Sequence, residues 1–378
     1  MYDGPIIDVD VHHRWHSEDD LISYLEPEWR DVVERPRSAV ALEAPVALFH
    51  HTTGSNKRPD TFPDTGGPPG SSYEQMRDQY LNAFPVERVV LSFDIGTSGG
   101  VANPYLASAL CRAANDWCLD RWIDQHKDPR LYTGLLVPTQ LPEDGAREIR
   151  RLGDHPRIVE ALVVSNALGR PFGHPVYHPI YEAANEFELP IAVHGGGDQW
   201  STNTHFTAGG MPNSRFEFHT SSPMSAMLHI ASFITHGVFE KFPKLKLVMI
   251  EIGTTWIPWL LWNLDKSVDL LRRESPWVKR LPSEYFFDHI RLSSQPLELS
   301  PDKRQLVELL ESAGPVDEVI VFASDYPHWD TDDPSYVARR LPESWQRKVL
   351  YENCLHTLRW PSDALRLDEL SPAAASVT

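Results

Sequence analysis

Along the chain, short runs that are almost continuously apolar alternate with longer stretches whose apolar positions recur every three or four residues. Eight runs stand out: IIDVDV (6–11), RVVLSF (88–93), LYTGLLV (131–137), IVEALVVS (158–165), LPIAVH (189–194), LKLVMIE (245–251), HIRLSS (289–294) and EVIVFAS (318–324). Near-unbroken apolarity is the pattern of strands covered on both faces in a parallel sheet, whereas half-exposed strands alternate. Helical spacing fills 103–126, 142–152, 177–187, 223–241, 255–273 and 302–313. Strands alternating with helices in this way predict an α/β fold, a (β/α)8 barrel closed on itself. The rival, an open doubly wound sheet, is weakened because no GxGxxG follows the first run.

Two polar, breaker-rich stretches interrupt the alternation. Residues 36–72 hold HHTTGSNKRPDTFPDTGGPPGSS and are too long for a plain connection, which predicts a loop insertion or lid after strand 1. Residues 195–222 (GGGDQWSTNTHFTAGGMPNSRFEFHTSS) follow strand 5 in the same style. The expected organisation is a single barrel domain over 1–361, with the insertion at about 36–72, and a C-terminal extension over 362–378 whose small, polar end frays.

Charge narrows the partners. Against 35 Lys and Arg stand 53 Asp and Glu, a formal net charge of −18. That balance disfavours nucleic acid and anionic membrane surfaces, both of which need a local excess of cations. Hydrophobic residues at 41% exclude a wholly disordered chain. Cys111, Cys118 and Cys354 show no CxxC spacing, which suits a reducing compartment, and Cys111 and Cys118 lie two helical turns apart, as shared burial requires. No basic stretch leading into an apolar run opens the chain, and no uncharged run reaches the ~20 residues that span a bilayer, so a cytoplasmic protein is expected.

In a barrel, the carboxyl ends of the strands face the active-site mouth. Strand 1 ends in Asp10, His12 and His13, strand 5 in His194, strand 6 in Glu251, and strand 8 runs into Asp325 and His328. Asp10 and His12 are two apart, so an extended strand turns both to one face. With His194 and Asp325 they make two imidazoles and two carboxylates, a set suited to one divalent ion such as Zn2+, Mn2+ or Fe2+. Among 17 histidines one strand-end His carries little weight, but four ligand-type residues on three strand ends carry more.

The motifs IDVDVHH, AVHGGG, GVFEKFPKLKLVMIEIGTTWIPWLLWNLD and FASDYPHWD together resemble the amidohydrolase superfamily, in particular the amidohydrolase-2 branch related to aminocarboxymuconate semialdehyde decarboxylase, over most of residues 5–360. The resemblance implies a distorted (β/α)8 TIM barrel holding one divalent metal. By motif position it puts Asp10 and His12 at the strand 1 pair, His194 at the strand 5 ligand and Asp325 at the strand 8 aspartate. It also implies decarboxylation, hydrolysis or hydration of small organic acids. Two departures matter: position 10 is Asp where many members carry His, which favours harder ions, and Glu251 stands where the best-known decarboxylases carry a catalytic His.

From these parts Asp325 is expected to act as ligand and proton carrier, with Glu251 and His219 as further catalytic candidates. Arg14, Trp15, Arg291 and His328 are candidates for binding the substrate's acid group, because guanidinium grips carboxylate bidentately. His205 surrounds the same mouth, and Trp256, Trp259 and Trp262, spaced by three, predict an amphipathic helix packed on the barrel or on a second subunit. The leading expectation is a metal-dependent decarboxylase or hydrolase of a small organic acid, working as a homo- or hetero-oligomer. One alternative is a dinuclear Fe or Mn/Fe oxygenase whose second metal is bound by Glu251 and His13, and another is an inactive partner subunit.

Overall fold

The computed structural model describes residues 2–34, 57–93, 101–164, 168–195, 210, 212, 214–298, 300 and 302–361. Eight strands, β1 (Ile6–His13), β2 (Val86–Phe93), β3 (Leu131–Leu136), β4 (Ile158–Val163), β5 (Ile191–His194), β6 (Leu247–Ile250), β7 (Ile290–Ser293) and β8 (Ile320–Val321), pair in parallel in chain order. The ring closes without a regular ladder between its ends: Val9 N–H donates to Phe322 O at 3.0 Å and His12 N–H to Tyr326 O at 2.7 Å. The result is the nearly closed (β/α)8 barrel that the apolar runs predict, with helices in the crossovers.

The last run is longer than its strand. Val316–Glu318 turns as a 3-10 helix, and 322–326 follows β1 as irregular backbone, so the regular ladder of β8 shrinks to two residues. The helix expected over 223–241 also divides. Gly237 adopts φ +69, a left-handed conformation, and separates Pro223–Thr235 from Val238–Lys241. Two helices that the apolar spacing did not announce, Glu18–Ile22 and Pro27–Glu34, follow β1 directly. Of the expected insertion, 57–72 is described and 36–56 lies outside the described residues, as does the extension 362–378.

Apolar side chains pack into two buried clusters. One gathers β3 to β8 with their helices, including Phe233, Phe286 and Phe322, and the other gathers β1 and β2 with the helix Pro104–Cys118, including Leu91, Leu110 and Trp117. Each such side chain contributes about 1.5–3 kcal/mol through burial. Cys111 and Cys118 are buried on that helix as their spacing predicts, with thiols pushed up by burial, Cys118 to about 12. Trp256 is buried just before the helix Ile257–Leu271, whereas Trp259 and Trp262 on it are exposed. Among the described residues no helix is long and apolar enough to cross a membrane.

Polar residues inside β1 have assigned tasks. Asp8 Oδ1 accepts Asp10 N–H at 3.0 Å and Ser324 N–H at 3.1 Å, and its Oδ2 accepts the Tyr80 hydroxyl. One fully buried carboxyl thereby ties the first strand to the segment after β8, and burial pushes it up to about 7. This tie holds the two ends of the barrel together immediately beneath Asp10 and Asp325.

Candidate metal centre

The period of two at the end of β1 turns Asp10 and His12 inward, past an irregularity in the strand between Asp8 and Val11. Asp10 Oδ1 lies 3.6 Å from His12 Nε2, and Asp10 Oδ2 lies 3.6 Å from His194 Nε2 across the barrel. His194 closes β5, with its Nδ1 2.7 Å from Gly195 O. That contact needs a proton on Nδ1, which aims the lone pair of Nε2 at the centre in the neutral ring. Gly195 is required here. A Cβ would come within 2.6 Å of Glu251 O, so glycine lets β5 and β6 close together at their ends.

Asp325 and Glu251 enter by a shared backbone device. Both are non-glycine residues at φ +58, where the chain leaves its strand in a left-handed turn. Glu251 N–H donates to Ser293 Oγ at 2.9 Å, and its carboxylate reaches to 3.6 Å from His194 Nε2. Asp325 N–H donates to Asp10 O at 3.1 Å, and its Oδ1 lies 3.0 Å from His12 Nε2. Asp325 Oδ1 also meets His328 Nδ1, and Oδ2 lies 3.4 Å from Gln295 Nε2. Potential ligand atoms of Asp10, His12 and His194 all fall within 4.8 Å of one another, as do those of His12, Asp325 and His328.

The electrostatics describe a pocket crowded with carboxyls. Burial, then the charges of Glu251, Asp330 and Asp10, push the Asp325 carboxyl far up, and burial pushes Glu251 to about 7. Asp10 moves the other way. Burial opposes its charge, but His12 and His194 outweigh it and hold the group down at about 2. Burial lowers His194, yet Asp10 wins and raises it to about 9. Neither carboxylate oxygen of Asp10, nor His194 Nε2, makes a hydrogen bond among the described residues, although all are buried. Buried polar atoms without such partners cost free energy. A divalent cation is the partner that would satisfy two imidazoles and two carboxylates at once.

His219 lies inside the short helix Arg215–Ser221, where a continuous polar loop was expected. Its Nε2 pairs with Asp330 Oδ2 at 2.8 Å, which raises its pKa. His328 joins the centre through Asp325, with its ring edge-on to His12 at 4.4 Å. Arg14 follows β1, its backbone N–H bonded to Gly70 O at 2.9 Å. His205 lies outside the described residues.

Three expectations are corrected. His13, proposed for a second metal, follows the alternation of β1 outward: its Nδ1 lies 2.9 Å from Ser92 O, and the ring packs among Phe93, Trp117 and Trp122. Trp15 is buried edge-on against Trp117 and serves packing, not substrate binding. Arg291 is the second residue of β7, at the foot of the barrel, where its Nη1 caps Phe287 O at 3.0 Å and Ile290 O at 2.8 Å. Burial there outweighs its acidic neighbours and lowers its pKa.

Other residues of the centre escaped the sequence reading. Asp330 and Gln295 bridge His219 to Asp325, and Lys57 Nζ lies 2.7 Å from His328 Nε2. Glu160 had a signal, being the single charge in the run IVEALVVS. It is fully buried in β4 with neither oxygen hydrogen-bonded among the described residues, and burial, then Asp10, raises it to about 8.

Glu160 gives a pH prediction. The unfolded chain releases this proton near 4.5 and the folded chain near 8, so the stabilisation from protonated Glu160 is complete at low pH and is lost as pH rises through about 8. Glu160→Gln is expected to remove several kcal/mol of that pH dependence, since each tenfold change in proton affinity on folding is worth ~1.4 kcal/mol. Urea unfolding of both proteins at pH ~5 and ~9 measures it, and parallel losses in the two would refute the assignment.

With this geometry established, sequence comparison places the chain. A family model described as Amidohydrolase matches residues 7–360. The chain belongs to this amidohydrolase family. A curated relative, the decarboxylase orsB of Emericella nidulans, is 26% identical over 188 residues, which make up 45% of the amidohydrolase chain and 51% of the relative. The match thus spans about half of that relative's length. Among solved structures, 5-carboxyvanillate decarboxylase LigW from Sphingomonas paucimobilis superposes with TM-score 0.63 at 20% identity, covering 94% of the amidohydrolase chain and 99% of its own. A dihydroxybenzoic acid decarboxylase from Polaromonas sp. JS666, with bound manganese and the inhibitor 2-nitroresorcinol, gives TM-score 0.61 at 16% identity, covering 97% and 98%. At these identities the structures share the barrel.

Proposed function

We propose that this chain is a metal-dependent decarboxylase of a small carboxylated aromatic acid. The observation that carries the proposal is the buried group of Asp10, His12 and His194, which Asp325 joins through His12 at 3.0 Å, with donor atoms of Asp10 and His194 unsatisfied among the described residues. Decarboxylase relatives, one of them holding manganese, support the reaction class.

Asp10, His12, His194 and Asp325 would hold the ion, and the two carboxylates favour Mn2+ over softer choices. A bound divalent ion supplies Lewis acidity toward a carboxylate and a neighbouring oxygen. Asp325 is the proton carrier. Its carboxyl is driven toward the protonated form by burial and by Glu251, Asp330 and Asp10, so Oδ2 can deliver a proton to the carbon that loses CO2. Glu251 buttresses His194, and the pair His219–Asp330 lines the same mouth beside Gln295. Arg14 is proposed for the substrate's acid group from its place after β1.

A second ion is not part of the proposal. His13 has turned away from Glu251, and Lys57 sets a cation beside the group of His12, Asp325 and His328. The test is release of CO2 from a panel of hydroxybenzoic acids by chelator-treated protein resupplied with Mn2+ or Zn2+. Metal-dependent CO2 release is expected, while hydrolysis of esters or lactones with no CO2 from any acid would overturn the reading.

A further inference from the structure

We propose that Lys57 is a positioning residue that fixes His328 as the neutral imidazole protonated on Nδ1 and thereby aims the Asp325 carboxyl. Its consequence for turnover rests on the decarboxylase reading above, but the arrangement itself does not. An ammonium group has three donors and no acceptor, so Lys57 Nζ, 2.7 Å from His328 Nε2, is bonded to a ring nitrogen that accepts. The one remaining ring proton then belongs on Nδ1, the nitrogen that faces Asp325 Oδ1. The chain of donors runs one way, from Lys57 through His328 to Asp325. All three residues are buried, with relative exposures of 4%, 6% and 0%.

The backbone builds this contact deliberately. Residues 57 and 328 form an antiparallel bridge, and Arg58 N–H donates to Pro327 O at 3.0 Å, so the segment before β2 is stitched to the turn that follows β8. Nothing in that stitch requires a cation, yet the residue set against His328 is lysine. The engagement also decides what His328 does. With Nε2 covered by an ammonium and Nδ1 donating to Asp325, it orients a ligand and does not serve as one. Asp325 Oδ1 is held by His328, with His12 Nε2 3.0 Å away, and Oδ2 is turned toward Gln295 at 3.4 Å as the oxygen that exchanges a proton. Without Lys57 the ring can place its proton on Nε2, and the lone pair of Nδ1 then opposes the Asp325 oxygen.

The experiment is two-bond 1H–15N correlation NMR on chelator-treated protein labelled with 15N-histidine, with His328 assigned by its loss in His328→Gln. In the native protein His328 is expected with a protonated Nδ1 and an unprotonated Nε2. In Lys57→Met the pattern should move toward the Nε2–H form, and Lys57→Arg should restore it. A native His328 protonated on Nε2, or a pattern unchanged in Lys57→Met, overturns the proposal, and the native spectrum decides even if a variant folds poorly. This readout uses neither metal nor substrate, so it stands or falls separately from the decarboxylase reading. Once a substrate is in hand, Lys57→Met should lower kcat ~10–100-fold with KM nearly unchanged, the range seen when support behind a metal ligand is lost. The double variant with His328→Gln should be no worse than the single ones. A raised KM with additive losses would instead mean that Lys57 grips the substrate directly, and would refute its action through His328.

Discussion

Asp325→Asn is expected to lower the proposed decarboxylation by about 10²–10⁴-fold, the contribution of a placed acid or base, while leaving the barrel folded. The side chain keeps its shape, and Asn is among the few residues that accept the left-handed backbone at φ +58. What disappears is the exchangeable proton. A carboxamide cannot cycle between acid and base, so kcat should fall with little change in the unfolding midpoint. Single-turnover CO2 release together with thermal melts measures both. Undiminished turnover in a folded Asp325→Asn protein would remove Asp325 from the chemistry and pass the proton to Glu251.

The second large effect concerns the ion. Saturating the chelator-treated protein with Mn2+ at about a hundred times its Kd should stabilise the fold by ~2.7 kcal/mol, because only the folded chain assembles the ligands. His194→Ala should abolish that increment. Asp10 holds a proton on His194 up to about pH 9, and a ligating imidazole must give it up. Uptake by the native protein should therefore release a proton and strengthen as pH rises toward 9. Calorimetry in two buffers of different ionisation enthalpy counts the proton. A His194→Ala protein that still gains the full increment would show that the ion binds elsewhere.

The barrel was legible because its signal is local. Buried parallel strands are nearly all apolar, and each of the eight runs supplies one strand. The ligand-type residues at the strand ends were legible for the same reason, since the end of an apolar run marks the mouth. The errors came from applying those rules unevenly. The alternation that turns Asp10 and His12 inward also turns His13 outward, toward Ser92 and Trp117. Arg291 stands at the start of its strand, and the mouth lies at the other end. Lys57 could not be read at all, because its contact with His328 spans 271 positions and arises from a bridge that no periodicity marks. Asp330 sat in plain view, two residues past His328, but its partner His219 lies in a segment of loop composition that folds as a helix.

The left-handed turns at Glu251 and Asp325 bear on how such a site diversifies. Each position is filtered twice, once for a side chain that works in the pocket and once for a backbone that most residues resist. Asn, Asp and His pass the second filter more readily than β-branched residues do. His at 251, the residue that the resemblance implies for decarboxylases, is compatible with the φ +58 backbone found there. Replacements at 251 and 325 therefore have to satisfy the left-handed backbone as well as the pocket.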